Sequence, residues 1–274
     1  MALLALPVAA PAYADKVASP WQETDHSRLR LVSAQSAVGA AEHVQLGLEF
    51  RLEPGWKIYW RSPGDAGIPP HFDWSASANL AEASVDWPAP NRFRFFGLET
   101  FGYEDGVVLP VRARLAEAGR ATRIHLRMRY AVCSNICVPH DEELTLNLPA
   151  GSPQSTAHAA KIARYAMKVP TRAPGKHFKI DRVSAEGAGR DQVLLISAIA
   201  ERPFGLPDML VEAPGRYVFG RPELTLSDDG KRADFRIHVD AGKSGKPLTG
   251  LPMTVTLIDG ARAVERQVVA SPKP

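Results

Sequence analysis

Hydrophobic and polar residues alternate with a period of two along most of this chain. Successive side chains of a β-strand point to opposite faces of a sheet, so each alternating run predicts a strand with one buried face. Turns such as Glu53-Pro54-Gly55 and Ser62-Pro63-Gly64-Asp65 separate the runs, which is typical of an antiparallel sandwich. The clearest apolar series are Val44, Leu46, Leu48 and Phe50; Ile124, Leu126, Met128, Tyr130 and Val132; and Leu144, Leu146 and Leu148.

The pattern changes once, between Ser152 and Lys168, where the sequence predicts a helix. Ser152 is a suitable N-cap, Pro153 is tolerated in a first turn, and Pro170 ends the helical pattern. We interpret residues 151–174 as a helical linker between two domains.

The alternating pattern covers residues 28–150 before this linker and residues 175–270 after it. A chain of 274 residues is long enough for two domains that each bury their own core. We therefore predict an all-β protein of two sandwich domains joined by a short helical segment. The second domain has no cysteine and no obvious catalytic cluster.

The charges are spread along the chain and nearly balance. There are 33 Lys and Arg residues against 30 Asp and Glu residues, for a formal net charge of +3. Because no block of like charge stands out, the sequence indicates neither a nucleic-acid-binding stripe nor a polybasic membrane patch.

The amino terminus resembles an export signal. Residues 2–12 are almost wholly apolar, and Ala12-Tyr13-Ala14 fits the small-x-small cleavage pattern. No charged residue precedes Asp15, so we interpret residues 1–14 as a truncated signal peptide; a buried N-terminal strand is the alternative. Residues 15–27 would then form a loose leader. No later segment approaches the roughly 20 apolar residues that cross a bilayer, so we expect a soluble periplasmic protein.

Cys133 and Cys137 are the only cysteines, and they lie at the end of a predicted strand with three residues between them. In an oxidising compartment such a pair is either a disulfide or is kept reduced for a purpose. A ring of about five residues restricts the unfolded chain weakly, by roughly 2 kcal/mol, and small exposed rings favour reducible bonds. The spacing therefore favours redox chemistry over a purely stabilising bridge.

Two other interpretations of the cysteines stay open from the residues alone. One is a static hairpin disulfide. The other is a Cu(I) site, because Cys133, Cys137 and His140 form a C-x3-C-x2-H pattern with Met128 nearby, and soft thiolates suit Cu(I). Zinc is disfavoured because no second ligand pair matches the first. His140 could also lower the pKa of a neighbouring cysteine if it were a cation.

Four stretches, in this order, resemble the N-terminal periplasmic domain of the thiol:disulfide interchange protein DsbD and, more closely, the same region of its relative ScsB, a copper-sensitivity suppressor protein. The run from Tyr59 to Pro70 is particularly similar to the ScsB branch. The four stretches are Gly55-Trp56-Lys57-Ile58-Tyr59-Trp60, Phe95-Phe96-Gly97, Val108-Leu109-Pro110-Val111, and Cys133 to Pro139 followed by Asp141-Glu142-Glu143.

The resemblance implies an immunoglobulin-like domain whose cysteine pair carries electrons from a membrane partner to periplasmic thioredoxin-fold proteins. It also implies an aromatic cap loop over the pair, which here corresponds to Phe95, Phe96 and Gly97. A covering ring would keep other thiols away from the sulfur until a partner displaces it. Tyr59 is expected to line the same site. Ordinary core packing is the alternative for these aromatic residues.

The sequence departs from DsbD in two respects. Its cysteine spacing is C-x3-C rather than C-x5-C, so loop geometry and redox potential cannot be transferred. It also has no counterpart of the transmembrane and thioredoxin domains, so we expect either a stand-alone relative or a fragment.

The leading functional hypothesis is a protein-disulfide reductase component that works as a dithiol/disulfide relay. By analogy with the family, Cys137 makes the mixed disulfide and Cys133 resolves it. We expect a monomer that needs no cofactor and does not bind nucleic acid. Its expected partners are thioredoxin-fold periplasmic proteins and a membrane protein that donates electrons. The alternative is a periplasmic Cu(I)-binding copper-tolerance protein that uses Cys133, Cys137, His140 and Met128.

Overall fold

The computed structural model describes residues 17–95, 97–173 and 178–273. Nearly all of its regular structure is β-strand. The strands of the first part are β1 (Gln22–Glu23), β2 (Ser27–Ser33), β3 (His43–Leu52), β4 (Lys57–Gly64), β5 (His71–Asp73), β6 (Leu80–Val85), β7 (Asn91–Phe95), β8 (Leu98–Glu104), β9 (Gly106–Leu115), β10 (Thr122–Cys133) and β11 (Cys137–Leu148).

A short helix separates these strands from the second part of the chain. The later elements are α1 (Ala159–Ala166), β12 (Phe178–Ala188), β13 (Asp191–Ala200), β14 (Asp208–Glu212), β15 (Val218–Phe219), β16 (Glu223–Leu226), β17 (Arg232–Asp240), a 3-10 turn (Gly242–Ser244), β18 (Pro252–Asp259), β19 (Arg262–Val269) and β20 (Ser271–Pro272).

Each part forms two sheets around its own core. In the first part the strand orders are β1-β2-β3-β9-β6 and β11-β10-β4-β8-β7, with β5 paired to β10. In the second part they are β15-β17-β13-β12-β20, with β16 paired to β17, and β14-β18-β19. The predicted all-β, immunoglobulin-like class is confirmed.

The alternating residues of the sequence face the cores, as the period of two requires. On β10 the five residues from Ile124 to Val132 that share one face are at most 2% exposed, and they pack into the first core cluster. The residues between them face away from that core. This leaves the second face of β10 available for other contacts.

The helix is shorter than the sequence indicates. It begins at Ala159 rather than Ser152, and neither Ser152 nor Pro153 takes part in it. The preceding residues are held by pairing with the first part of the chain instead: Ser155 forms a β-bridge with Gln35. These long-range backbone hydrogen bonds override the local helical preference of the residues after Ser152, so the helix begins later in the sequence than predicted.

The helix lies between the two parts in sequence and packs on the first of them. Ile162 is 3% exposed and clusters with Val32 and Val108. A Cβ at Gly47 would lie 2.8 Å from Val108 and 3.0 Å from Ile162, so the close approach of helix and sheet requires a glycine here. Lys161 also forms an ion pair with the buried Glu49.

The expected loose leader is also corrected where it is described. Residues 17–27 belong largely to the sheet: β1 pairs with β2, and Ala18 bridges Val32. Trp21 lies against the guanidinium groups of Arg30 and Arg51, at 4.3 and 4.8 Å. Residues 1–16, which include the expected signal peptide, lie outside the described residues.

The two parts contact each other through β14. Side chains of this strand alternate between the cores: Met209 and Val211 belong to the second core cluster, whereas Leu210, only 2% exposed, belongs to the first. Arg61 of β4 binds Glu212 through two bonds of 3.0 and 2.6 Å and also pairs with Glu265. The second domain therefore binds β4, the strand that pairs with β10 next to the cysteine hairpin.

A second contact joins β7 to β14 of the second domain. Arg92 donates to both carboxylate oxygens of Asp208 at 2.9 and 2.8 Å and to the carbonyl oxygen of Met209 at 3.0 Å. Its side chain is only 11% exposed, so these bonds are shielded from water more than a surface ion pair would be.

We predict that Leu210→Ala lowers the free energy of unfolding by about 2–5 kcal/mol, because it removes a buried side chain from the core of the neighbouring domain. Urea titration followed by circular dichroism measures the loss. Leu206→Ala is the matched control, since Leu206 is 91% exposed and its truncation should change stability by no more than about 0.5 kcal/mol. Equal losses in the two variants would contradict the interface described here.

Candidate functional site

The two cysteines form a disulfide across the tip of the β10–β11 hairpin. Cys133 ends β10, Cys137 begins β11, and the two are direct partners in the antiparallel ladder with a Cα–Cα distance of 4.1 Å. The Ser134 N–H donates to the carbonyl oxygen of Ile136 at 2.9 Å and closes the three-residue loop. The sequence expectation of a hairpin disulfide at a strand end is met in this geometry.

The two cysteines differ in their access to solvent. Cys133 is 1% exposed, whereas Cys137 and its neighbour Ile136 are exposed. The residues that cluster with Cys133 are Tyr59 and Ala131, both on the outward face of the sheet. Of the two cysteine residues, Cys137 is therefore the one at the protein surface.

Tyr59 lies beside the disulfide, where the sequence comparison expected it. Its ring is 3% exposed, and its hydroxyl is 4.0 Å from the Sγ atom of Cys137. Burial raises the pKa of Tyr59 above its usual value, so the phenol stays protonated at neutral pH and can donate to sulfur. Gly67 packs closely on the Tyr59 ring. A Cβ atom at position 67 would lie only 2.6 Å from a carbon atom of that ring.

A lysine that the sequence analysis did not select lies next to Cys133. Lys57 is the ladder partner of Cys133 on β4 and is 9% exposed. Its ammonium group is 4.7 Å from the centre of the Phe93 ring on β7. The sequence did contain a signal for this position of Lys57. Lys57 and Tyr59 are two residues apart on one strand, so their side chains must lie on the same face.

The segment expected to form the cap lies in the hairpin of β7 and β8. Phe95 ends β7 and pairs with Leu98, and exposed Gly97 adopts a positive φ of 82° in the turn. This conformation suits glycine because it has no Cβ. Phe96 and the side chain of Phe95 lie outside the described residues, so their role as a cap stays a prediction.

The residues of the alternative copper site are not brought together. His140 pairs with Tyr130 and Met128 is 0% exposed in the core, so both lie on the face of the hairpin opposite to the cysteines. The expected set of Cys133, Cys137, His140 and Met128 therefore cannot converge on one ion in this arrangement. Among the described residues, no group of three or more His, Cys, Asp or Glu side chains could hold a metal.

The proposed influence of His140 on the cysteines is corrected for the same reason. Burial lowers the pKa of His140 below its usual value, so the ring is neutral at neutral pH. A neutral ring on the opposite face of the strand does not supply a cation to either sulfur. Lys57, the ladder partner of Cys133, is a basic residue on the cysteine face, and its ammonium group lies over the Phe93 ring.

No helix within the described ranges has the length and apolar character needed to span a membrane.

Two family models match this chain. Residues 28–149 match the model described as thiol:disulfide interchange protein DsbD, N-terminal, and residues 168–273 match a domain of unknown function. No curated protein sequence matches the chain significantly. The cysteine hairpin lies entirely within the first match.

The fold is similar to a solved structure, the crystal structure of the N-terminal periplasmic domain of ScsB from Proteus mirabilis. The two share 24% sequence identity with a TM-score of 0.75, over 94% of this chain and 99% of that chain. The similarity covers both domains and so extends the fold comparison beyond the first family match. Residues 28–149, which contain both sheets of the first part and the cysteine hairpin, are thus similar to DsbD N-terminal domains in sequence, and the whole chain is similar to the ScsB domain in fold.

Proposed function

We propose that the chain is a thiol–disulfide exchange protein that passes electrons through Cys133 and Cys137 to thioredoxin-fold proteins. The observation that carries the proposal is the unequal exposure of the two cysteine residues in the part of the chain that matches DsbD N-terminal domains: Cys137 is exposed and Cys133 is 1% exposed. A stabilising disulfide does not need such an arrangement. A relay does, because its first step needs one accessible sulfur and its second needs a protected one.

The electron transfer proceeds in two exchanges. The Cys137 thiolate of the reduced protein attacks one sulfur of the partner disulfide; that S–S bond breaks, and its electron pair leaves on the second partner sulfur. The Cys133 thiolate then attacks Cys137 Sγ and releases the first partner sulfur as a thiolate. The partner gains two electrons and takes up protons from water, and the Cys133–Cys137 disulfide is formed again.

Tyr59 has a defined place in this scheme. Its hydroxyl, 4.0 Å from Cys137 Sγ, can approach and donate a hydrogen bond to the thiolate that forms there on reduction. Such a bond favours the charged form of the sulfur and lowers the pKa of the attacking thiol. Its buried ring also covers the inner side of the disulfide.

The hairpin of β7 and β8 is the proposed cap. Phe95, Phe96 and Gly97 would shield the sulfurs from small thiols and move aside when a protein partner binds. Support comes from the position of this hairpin beside β4, which carries Tyr59, and from the contact of Phe93 with Lys57. The hairpin is also anchored to the second domain through Arg92. We propose that the second domain acts as a rigid support for the cap strand.

The partners and compartment follow from the chemistry proposed. Periplasmic thioredoxin-fold proteins carry the disulfide that Cys137 attacks, and a membrane-bound dithiol protein would restore the reduced state. Export to the periplasm agrees with the apolar start of the sequence and with a cysteine pair that cycles between states. Within this scheme the protein is a protein-disulfide reductase component.

We predict that Cys133→Ser traps a mixed disulfide between Cys137 and a thioredoxin-fold protein, because no second thiol remains to resolve it. Non-reducing gel electrophoresis and mass spectrometry of the adduct measure the result. Cys137→Ser is the matched control and should trap at least tenfold less, since the remaining sulfur is buried. Absence of an adduct from both variants would end the relay proposal, and preferential trapping by Cys137→Ser would reverse the assigned roles.

We also predict that Tyr59→Phe raises the pKa of the Cys137 thiol by roughly half a unit to one unit, because a hydrogen bond to a charged group is worth on the order of 1 kcal/mol at a partly exposed site. The pH dependence of iodoacetamide alkylation in a Cys133→Ser background measures this pKa. Tyr165→Phe, which removes a phenol that contacts Gly106 at 3.4 Å, is the control and should leave the pKa unchanged. An unchanged pKa in Tyr59→Phe would exclude the hydrogen bond.

A further inference from the structure

We propose that the segment Asp65–Pro70, which joins β4 to β5, is a strap that holds the Tyr59 hydroxyl beside Cys137. Asp65 and Gly67 are its positioning residues: Asp65 fixes the strap to a neighbouring strand, and Gly67 packs on the tyrosine ring. The inference rests on the proposed function, because it concerns the same cysteine and the hydrogen bond assigned to Tyr59.

The strap begins beside one strand of the sheet and ends beside another. The strands at this point follow the order β10-β4-β8. Asp65, at the start of the strap, is bound to Glu99 of β8, and β5, which follows the strap, pairs with β10. Between these two points Gly67 contacts the ring of Tyr59, which belongs to the intervening strand. The strap therefore runs from β8 to β10 over the Tyr59 ring.

The first end of the strap is fixed by two reciprocal hydrogen bonds. The Asp65 N–H donates to the carbonyl oxygen of Glu99 at 2.8 Å, and the Glu99 N–H donates to the Asp65 carboxylate at 2.9 Å. A bond to a carboxylate is stronger than one between neutral groups. The buried Glu99 side chain also pairs with Arg92, which binds Asp208 of the second domain. The strap is thus attached to a part of β8 that is itself held by both domains.

The middle of the strap fits closely on the tyrosine. Gly67 has a φ of 124°, and a Cβ at this position would lie 2.6 to 2.7 Å from three carbon atoms of the Tyr59 ring. Both the backbone conformation and the contact therefore require glycine. Pro69 and Pro70 each fix their own φ and so limit the freedom of the rest of the strap. On its other side the ring clusters with Cys133, so it is confined from both sides.

This confinement matters for the hydrogen bond to sulfur. The Tyr59 hydroxyl is 4.0 Å from Cys137 Sγ, so a small approach brings it into bonding range of the thiolate that forms on reduction. A donor that is held in place by packing makes such a bond more often than a ring that can rotate away. Because the bond favours the charged form of the sulfur, loosening the strap should raise the pKa of the Cys137 thiol.

The first test is Gly67→Ala in the full chain, in a Cys133→Ser background. The added Cβ displaces the ring, so the pKa of Cys137 should rise by roughly half a unit to one unit, as in Tyr59→Phe, which is about a three- to tenfold loss of thiolate at a fixed pH below that pKa. The pH dependence of iodoacetamide alkylation measures it. Combining Gly67→Ala with Tyr59→Phe should add nothing further, because the hydroxyl is already absent.

Gly151→Ala is the matched control for Gly67→Ala. Gly151 has nearly the same backbone conformation, with a φ of 123°, but a Cβ at this position would have no atom within 4 Å. The substitution introduces the same backbone strain without a contact, so the pKa of Cys137 should stay at its value in the Cys133→Ser chain. An equal rise in the two glycine variants would contradict a role for the ring contact.

Asp65 gives a second test that stays valid if Gly67→Ala fails to fold. Asp65→Ala removes the acceptor of the Glu99 N–H and should raise the pKa of Cys137, whereas loss of a negative charge alone would lower it. Asp65→Asn keeps an oxygen acceptor without the charge and should retain most of the original value. Asp229→Ala, which removes a carboxylate bound to the Lys231 N–H in the second domain, should change nothing.

The phenol of Tyr59 provides an independent readout. Burial raises its pKa above the ordinary value, so a loosened strap that admits water should lower this pKa towards about 10. Ultraviolet absorbance titration measures it, and subtracting the titration of the same variant with Tyr59→Phe isolates the one tyrosine. We expect the decrease in Asp65→Ala and not in Asp229→Ala.

The proposal is overturned if Gly67→Ala and Asp65→Ala both keep the original pKa values of Cys137 and Tyr59. It is also overturned if Gly67→Ala has its full effect in a chain that already carries Tyr59→Phe. These readouts use an alkylating reagent and absorbance and no protein partner. Failure to trap a thioredoxin-fold protein would therefore refute the proposed function without affecting this result, and a strap without effect would leave the relay intact.

Discussion

The site depends on the unbroken pairing of β10 with β11. Twelve consecutive residue pairs run from Thr122↔Leu148 to Cys133↔Cys137 without a register shift. Because side chains alternate between faces, this register sends one face of β10 into the core and fixes Cys133 on the other. A slip of one residue would bury the cysteines in the core and expose the apolar face, so the stability of the sandwich and the position of the disulfide are set by the same constraint.

The same alternation on β4 explains the chemical character of the site. Ile58 and Trp60 are fully buried in the core, whereas Lys57 and Tyr59 project from the face of the sheet that carries Cys133. One short strand thus contributes packing on one face and a cation and a hydrogen-bond donor on the other. Their contacts differ: the Tyr59 hydroxyl lies 4.0 Å from Cys137 Sγ, whereas the Lys57 ammonium lies over the Phe93 ring.

The second domain affects this environment through the strands that it contacts. Arg61 and Arg92, on β4 and β7, bind acidic residues of the same sheet of the second domain, and Leu210 of that sheet packs into the first core. Buried and partly buried contacts of this kind resist relative motion more than surface ion pairs do. The second domain therefore restrains β4 and β7, the strands that carry Tyr59 and Phe93.

The all-β class, the strand pattern and the cysteine hairpin can be predicted from the amino-acid sequence, because a period of two and short turns are local properties. The sequence also indicated Tyr59, through resemblance to a family. Local signals could not show that the chain around residues 17–27 joins the sheet, that the helix begins only at Ala159, or that His140 and Met128 face away from the sulfurs. These features depend on pairing between strands that are distant in sequence. The same pairing buries Cys133 and brings Lys57 close to Phe93. Only tertiary packing determines which residues share a face of a sheet and which residues cover that face.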